Sequence, residues 1–202
     1  MKQYFTINHW VDILRKLSQE QRGGLLPLTV LSRLSGLKNY ALRKALLRAE
    51  EKGLVERVYS GLYLNKFATV TVEEIAMLIN RPCYISFESA LTIYGIISQE
   101  PFVLTCATTR KPANKSTSVG DIVYRHITAK KFWGFNEKKG ILIAEPEKAF
   151  LDLLYWSGKT RGRFPDLDEM NLMELKKEKV FSYAEKFPLN LQKYLKKNNL
   201  ME

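Results

Sequence analysis

No apolar stretch in this 202-residue chain approaches the twenty or so residues that a membrane-spanning helix requires. Asp12, Arg15, Lys16, Glu20 and Arg22 break up the first segment, and the pattern of a signal peptide is missing. These two absences lead us to expect a cytoplasmic protein with no membrane partner. Cysteine is scarce. Cys83 and Cys106 sit in the apolar contexts Arg81-Pro82-Cys83-Tyr84-Ile85 and Leu104-Thr105-Cys106-Ala107-Thr108, and are expected as reduced core thiols. Histidine is scarce too: neither His9 nor His126 has a nucleophile or carboxylate at motif spacing. Without closely spaced Cys and His pairs no metal site is expected. We expect no cofactor, no catalytic residue and no enzyme.

Acid is also in short supply. The chain has 32 Lys and Arg against 21 Asp and Glu, a net charge of +11. With 46% hydrophobic and 26% charged residues the composition is otherwise that of a globular protein. A strong positive excess favours a polyanionic partner, and without a lipid-binding amphipathic segment that partner is nucleic acid. The excess is uneven. Residues 1–66 hold 12 basic against 5 acidic residues, net +7, and the remaining 136 residues hold 20 against 16, net +4.

The basic third of the chain has an ordered texture. Residues 8–19 open with Asn8, an apt helix cap, and place Trp10, Val11, Ile13, Leu14 and Leu17 on one stripe. Gly23-Gly24 ends this helix, and Pro27 leads into a second one that begins at Leu28 or Thr29 and stops at Ser35-Gly36. Asn39 is expected to cap a third helix whose buried stripe is Ala41, Leu42, Ala45, Leu46 and Ala49, with Gly53 just past its end. Leu54 to Tyr59, the Ser60-Gly61 turn and Leu62-Tyr63-Leu64 then read as a two-stranded ribbon. Two helices, a basic helix and a ribbon describe a winged helix-turn-helix over residues 1–68.

Such a unit inserts one helix into the major groove, where residues near its N-terminus meet base edges. Here those are Asn39, Tyr40, Arg43 and Lys44. Arg pairs with guanine and Asn with adenine, so these residue types suit the reading of sequence. Lys38 and Arg48 are placed for phosphates, and Arg57, Tyr59, Ser60 and Lys66 for the backbone or minor groove beside the wing. The expected partner is double-stranded DNA.

Residues 69–202 read as a larger mixed α+β domain, making the whole chain α+β with a helical tail. Thr71 caps a helix from Val72 to Ile79, and another runs from Glu88 to Tyr94. Strands are expected at Tyr84–Ser86, Phe102–Ala107, Asp121–Ile127 and Gly140–Ile143. A helix from Pro146 to Trp156 buries Ala149, Phe150, Leu153 and Leu154, and a charged helical tail covers residues 166–198. Residues 158–163 are expected as a flexible basic loop. Gly158-Lys159-Thr160 is not a phosphate-binding loop, because Leu153 stands where that motif needs glycine and a helix, not a strand, precedes it. Arg110, Lys111, Lys115, Arg125, Lys130, Lys131, Lys138 and Lys139 form a second basic population that can extend a DNA footprint if they share a face. Glu145, Glu147 and Asp152 are oxygen donors that could serve a metal-dependent nuclease or nucleotidyltransferase, the alternative reading. Helix capping accounts better for the two glutamates beside Pro146.

The order of Ser60-Gly61-Leu62-Tyr63, Tyr84-Ile85-Ser86, Ser89-Ala90-Leu91, Tyr94-Gly95-Ile96 and Ala144-Glu145-Pro146-Glu147-Lys148-Ala149-Phe150-Leu151-Asp152 resembles the AbiE-type abortive-infection antitoxins of type IV toxin–antitoxin systems. The resemblance spans about residues 8–156. It implies a winged helix that binds promoter repeats and represses its own operon, with self-association on DNA. It also implies a C-terminal domain that neutralises a nucleotidyltransferase-like toxin without a stable complex. The DNA-contacting positions it carries over are Asn39, Tyr40, Arg43, Lys44, Arg57 and Tyr63, and it carries over no catalytic residue.

Overall fold

The computed structural model describes residues 6–20 and 23–200 and is mixed α+β. The chain divides into two compact units, Met1–Thr71 with Thr117–Val119, and Val72–Ser116 with Gly120–Glu202. Among the described residues no helix is long and apolar enough to cross a membrane.

In the first unit the order is α1 (Ile7–Ser18), β1 (Leu25–Pro27), α2 (Leu28–Ser35), α3 (Asn39–Glu51), β2 (Val55–Tyr59) and β3 (Leu62–Asn65). The strands form one antiparallel sheet in the order β1-β3-β2, with Leu26 opposite Tyr63 and Arg57 opposite Tyr63 on the other side. Trp10, Leu14, Leu26, Leu31, Leu42, Leu46, Ala49, Val55 and Tyr63 make its core. Burying an aliphatic or aromatic side chain of this size contributes roughly 1.5–3 kcal/mol, so one contiguous cluster can hold three helices on a small sheet. Gly36 ends α2 with φ +68°, a left-handed value that lets the chain turn at once into α3.

Several local features differ from the sequence reading. Helix α1 is capped by Thr6, not Asn8, and the Thr6 amide donates to Nδ1 of His9 at 3.1 Å. At α3 the cap position belongs to Lys38. Asn39 lies inside the first turn with φ +47°, which asparagine tolerates better than most residues, and its side chain makes no capping bond. The buried stripe of α3 is also narrower: Leu42, Leu46 and Ala49 are buried, but Ala41 is exposed. One step along a helix turns a side chain through about 100°, which carries Ala41 past the edge of the core. Strand β1, unread in the sequence, exists because β3 offers it a partner edge. Buried Asn65 donates through Nδ2 to the carbonyls of Leu14 (2.8 Å) and Gly23 (2.9 Å), and its Oδ1 accepts the Phe67 amide at 3.1 Å. Its amide group thereby ties α1 to the end of the sheet.

The second unit holds α4 (Val72–Ile79), β4 (Cys83–Ile85), α5 (Phe87–Ile93), β5 (Leu104–Thr108), β6 (Ala113–Ser116), β7 (Asp121–His126), β8 (Phe135–Lys138), β9 (Ile141–Ala144), α6 (Pro146–Arg161), α7 (Lys177–Ala184) and α8 (Leu189–Lys197). Six strands form one mixed sheet, β6-β7-β5-β4-β9-β8, with β5/β7 and β4/β9 parallel and the other neighbours antiparallel. Cys83 Sγ contacts the Ala76 carbonyl on α4 at 3.4 Å, and the next residue, Tyr84, bonds to Asp152 on α6. Successive strand residues point to opposite faces, so α4 and α6 cover opposite sides of the sheet. Both cysteines are free and buried, and burial pushes the Cys83 thiol up to about 11.

Two edge strands, β6 and β8, escaped the sequence reading because their half-polar sequences alternate weakly. Residues 158–161, expected as loop, are the last turn of α6, which ends at Gly162. A Cβ at Gly158 would lie 2.9 Å from the Phe164 ring, so glycine here lets that ring close over the helix. Phe164 in turn stacks on Tyr194 of α8 with centroids 4.2 Å apart.

Candidate nucleic-acid interface

Helix α3 turns Leu42, Leu46 and Ala49 into the core and presents the opposite side to solvent. Lys38, Asn39, Tyr40, Arg43, Lys44 and Arg48 are all exposed there, Tyr40 at 76% and its apolar neighbour Leu47 at 57%. Among the described residues Arg43, Lys44 and Arg48 make no ion pair. The nearest acidic residue on the helix that has a partner, Glu50, accepts the Arg57 backbone amide at 2.8 Å and so pins β2 to the end of α3. With Lys38, Arg43, Lys44 and Arg48 against exposed Glu51, the outward face keeps a positive excess.

The ribbon residues separate. Arg57 is exposed, Tyr59 is half-buried, and Ser60 is exposed in the turn between β2 and β3. Lys66 bonds Glu56 at 2.8 Å, and this hydrogen bond holds the Glu56 carboxyl below its ordinary value. Much of the Lys66 charge is thus answered within the ribbon. Tyr63 is 9% exposed and packs in the core. It lies on the central strand with its ring toward the helices, so it is removed from the candidate surface. The resemblance had suggested a contact there, and burial gives the residue a packing role instead.

The second basic population is spread across the sheet. Lys115 lies on β6 and Lys138 on β8, opposite edges of the sheet. Five strand spacings of about 4.8 Å put these edges about 24 Å apart. Arg125 is half-buried; its Nη1 lies 2.6 Å from Glu88 Oε2 and its guanidinium 3.8 Å from the Trp156 ring centre. That arginine is part of the packing.

The carboxylates weighed for a nuclease are engaged separately. Asp152 is fully buried: Oδ1 pairs with Lys148 Nζ at 2.5 Å, and Oδ2 accepts from Tyr84 Oη (2.8 Å) and Ser86 Oγ (2.9 Å). Lys148 Nζ also donates to Tyr84 Oη at 2.7 Å. Burial pushes the Asp152 carboxyl up and the Lys148 ammonium down, and their mutual attraction opposes both shifts. Glu145 meets Tyr183 Oη at 2.5 Å and Lys179 at 3.0 Å, and Glu147 accepts the Lys176 amide at 3.2 Å. Among the described residues no cluster of three His, Cys, Asp or Glu side chains is placed to hold a metal ion. Only the four-residue spacing of Lys148 and Asp152, which puts them on the same face of one helix, pointed to this buried polar cluster.

No protein-family model matches the chain, and no curated protein matches its sequence.

Proposed function

We propose that the first unit is a winged helix and that this protein is a sequence-specific DNA-binding regulator. One observation carries the reading: α3 offers an outward face with Tyr40, Arg43, Lys44 and Arg48, and none of its cations has an acidic partner among the described residues. The succession of α1, β1, α2, α3 and a β2–β3 hairpin on a three-stranded sheet supports it. In such a unit α3 enters the major groove, where Asn39, Tyr40, Arg43 and Lys44 meet base edges. Lys38, Arg48, Arg57 and, more weakly, Lys66 serve the phosphates. Each phosphate neutralised releases condensed counterions, so binding weakens steeply as salt rises.

The second unit supports a further part of the reading: autorepression of an operon that also encodes a nucleotidyltransferase-like toxin, with this protein as the antitoxin. Its motif order, ending in Glu145 to Asp152, is the ground for that part, and on this reading the protein works in the cytoplasm beside its operon. Fluorescence anisotropy of the purified chain on its own upstream DNA, titrated against salt, tests the regulatory claim. We expect a marked preference over random duplex, and equal affinity for both would overturn it. An adjoining nucleotidyltransferase-like gene whose toxicity this protein suppresses tests the antitoxin claim; an unrelated neighbour that it does not protect against would remove it. The metal-nuclease alternative gains no support, since Glu145, Glu147 and Asp152 are each committed to other partners.

A further inference from the structure

The outward face of α3 is not uniformly cationic. Going round the helix at about 100° per residue, Tyr40 and Leu47 fall within about 20° of each other on the side opposite Leu42, Leu46 and Ala49. Both are well exposed, at 76% and 57%. Lys44 lies between them along the axis, with Arg43 on one flank and Arg48 on the other. The face is therefore apolar at two points beside Lys44 and flanked by Arg43 and Arg48, with exposed Glu51 one turn past Leu47 on the same side.

A single exposed leucine needs no explanation. Two exposed side chains of this kind on one side of the helix, beside Arg43, Lys44 and Arg48, which have no ion-pair partner among the described residues, narrow the occupant. Two residues on a 13-residue helix are too little apolar surface for a membrane to grip. An acidic protein surface would answer the cations but leave Tyr40 and Leu47 without an apolar partner. Duplex DNA matches both features at once: phosphates flank the major groove, and the groove's one apolar group is the 5-methyl of thymine.

We infer that Tyr40 and Leu47 read thymine 5-methyl groups, so that the preferred duplex carries thymines at two positions set by these side chains. The inference rests on the DNA-binding reading above and specifies the chemistry of its site. Seven residues of helix rise by ~10.5 Å, which spans about three base steps at about 3.4 Å each. The two thymines are accordingly about three base pairs apart, with Arg43 and Lys44 addressing the bases between them.

The experiment replaces thymine by uracil, which removes the methyl and leaves Watson–Crick pairing and the backbone charge in place. A preferred duplex is first selected from random DNA with the full chain. Each dT is then changed singly to dU and affinity is measured by anisotropy at fixed salt. Loss of one buried methyl weakens binding by about fourfold, and we expect this at two positions about three base pairs apart. Leu47→Gln should abolish the methyl sensitivity at one of them and Tyr40→Ser at the other; both residues are exposed, so neither change touches the core. A selected duplex that binds as well with uracil throughout would overturn the inference and leave the DNA-binding reading standing. Sensitivity that persists in both variants would also overturn it, as would a drop in sedimentation mass on Leu47→Gln, which would assign the face to a second copy of the chain. Failure to select any preferred duplex would remove the DNA-binding reading itself, so the two failures are distinct.

Discussion

Arg43 in the first unit and Arg125 in the second carry the same charge in opposite circumstances. Arg43 stands in solvent with no ion-pair partner among the described residues. Arg125 is held 2.6 Å from Glu88 and laid over the Trp156 ring at 3.8 Å. The contrast recurs across the two units. Lys148, Lys179 and Arg125 in the second unit are committed to Asp152, Glu145 and Glu88, whereas Lys44 and Arg48 on α3 have no ion-pair partner among the described residues. A cation that is paired and desolvated belongs to the protein's own packing. A cation left exposed and unanswered is available to an external anion, and this distinguishes the two units more sharply than net charge does.

The largest effect expected from breaking this division is in the buried cluster of the second unit. Asp152→Ala leaves Lys148 buried without its counterion, and Tyr84 and Ser86 lose their shared acceptor. Removing one member of a buried pair costs about 3–5 kcal/mol, measurable by urea unfolding. The double change Lys148→Met with Asp152→Leu removes both charges together and should recover most of that loss. A single substitution costing under about 1 kcal/mol would mean that the cluster does not hold α6 to β4.

Arg43→Ala asks the complementary question of α3. We expect a loss of about 1–3 kcal/mol in binding to a preferred duplex, with unfolding stability unchanged to within about 0.5 kcal/mol. Equal weakening on random DNA would deny Arg43 any part in reading bases. A large fall in stability would place it among the structural cations and break the comparison outright.

A smaller effect is expected at Glu145, where α7 meets the start of α6. Burial raises the Glu145 carboxyl, but hydrogen bonds from Tyr183 and Lys179 outweigh it and hold the group below its usual 4.5. A carboxyl depressed in the folded state binds fewer protons there than in the unfolded chain. Its stabilisation is therefore complete above about the ordinary carboxylate value and is lost as pH falls through the lower folded value. Glu145→Gln should cost about 1 kcal/mol at neutral pH and flatten the acid limb of the stability profile between the two values. An unchanged acid limb in the variant would show that α7 is held by Val180 and Ala184 packing alone.

How far these features were legible in the sequence follows the same line. Leu42, Leu46 and Ala49 on the core side of α3 and the starts of α2, α4 and α6 were readable, because helical periodicity and punctuation by proline, glycine or a capping threonine are local signals, whereas Ala41 fell outside the core. The pairing of Asp152 with Tyr84 and Ser86 was not, since it joins residues 66–68 positions apart. Asn65 was missed for the same reason: it satisfies backbone carbonyls 42 and 51 residues earlier in the chain. Edge strands β6 and β8 lack the apolar alternation that a buried strand displays. On the candidate surface, residue type named Arg43, Lys44 and Arg48, but only burial could separate Tyr40, which faces out, from Tyr63, which faces in.

Lys66 tests the division where it is least clear, because it is a paired cation in the unit that also carries exposed Arg43, Lys44 and Arg48. Its bond to Glu56 joins side chains that are 45% and 32% exposed. A pair so wet contributes about 0–1 kcal/mol, and Lys66→Ala should leave stability nearly unchanged. Its effect on DNA should also be small, since a phosphate replacing Glu56 exchanges one anion for another instead of adding a new contact. Arg48→Ala should lower the slope of log affinity against log salt by about 0.9, the value for one lost phosphate contact, and Lys66→Ala by clearly less. Equal slopes would mean that Lys66 abandons Glu56 on the duplex, in which case Glu56→Gln should strengthen binding by freeing the lysine in advance. Unequal slopes with no effect of Glu56→Gln would place Lys66 with Arg125 and Lys148, among the cations the protein keeps for itself.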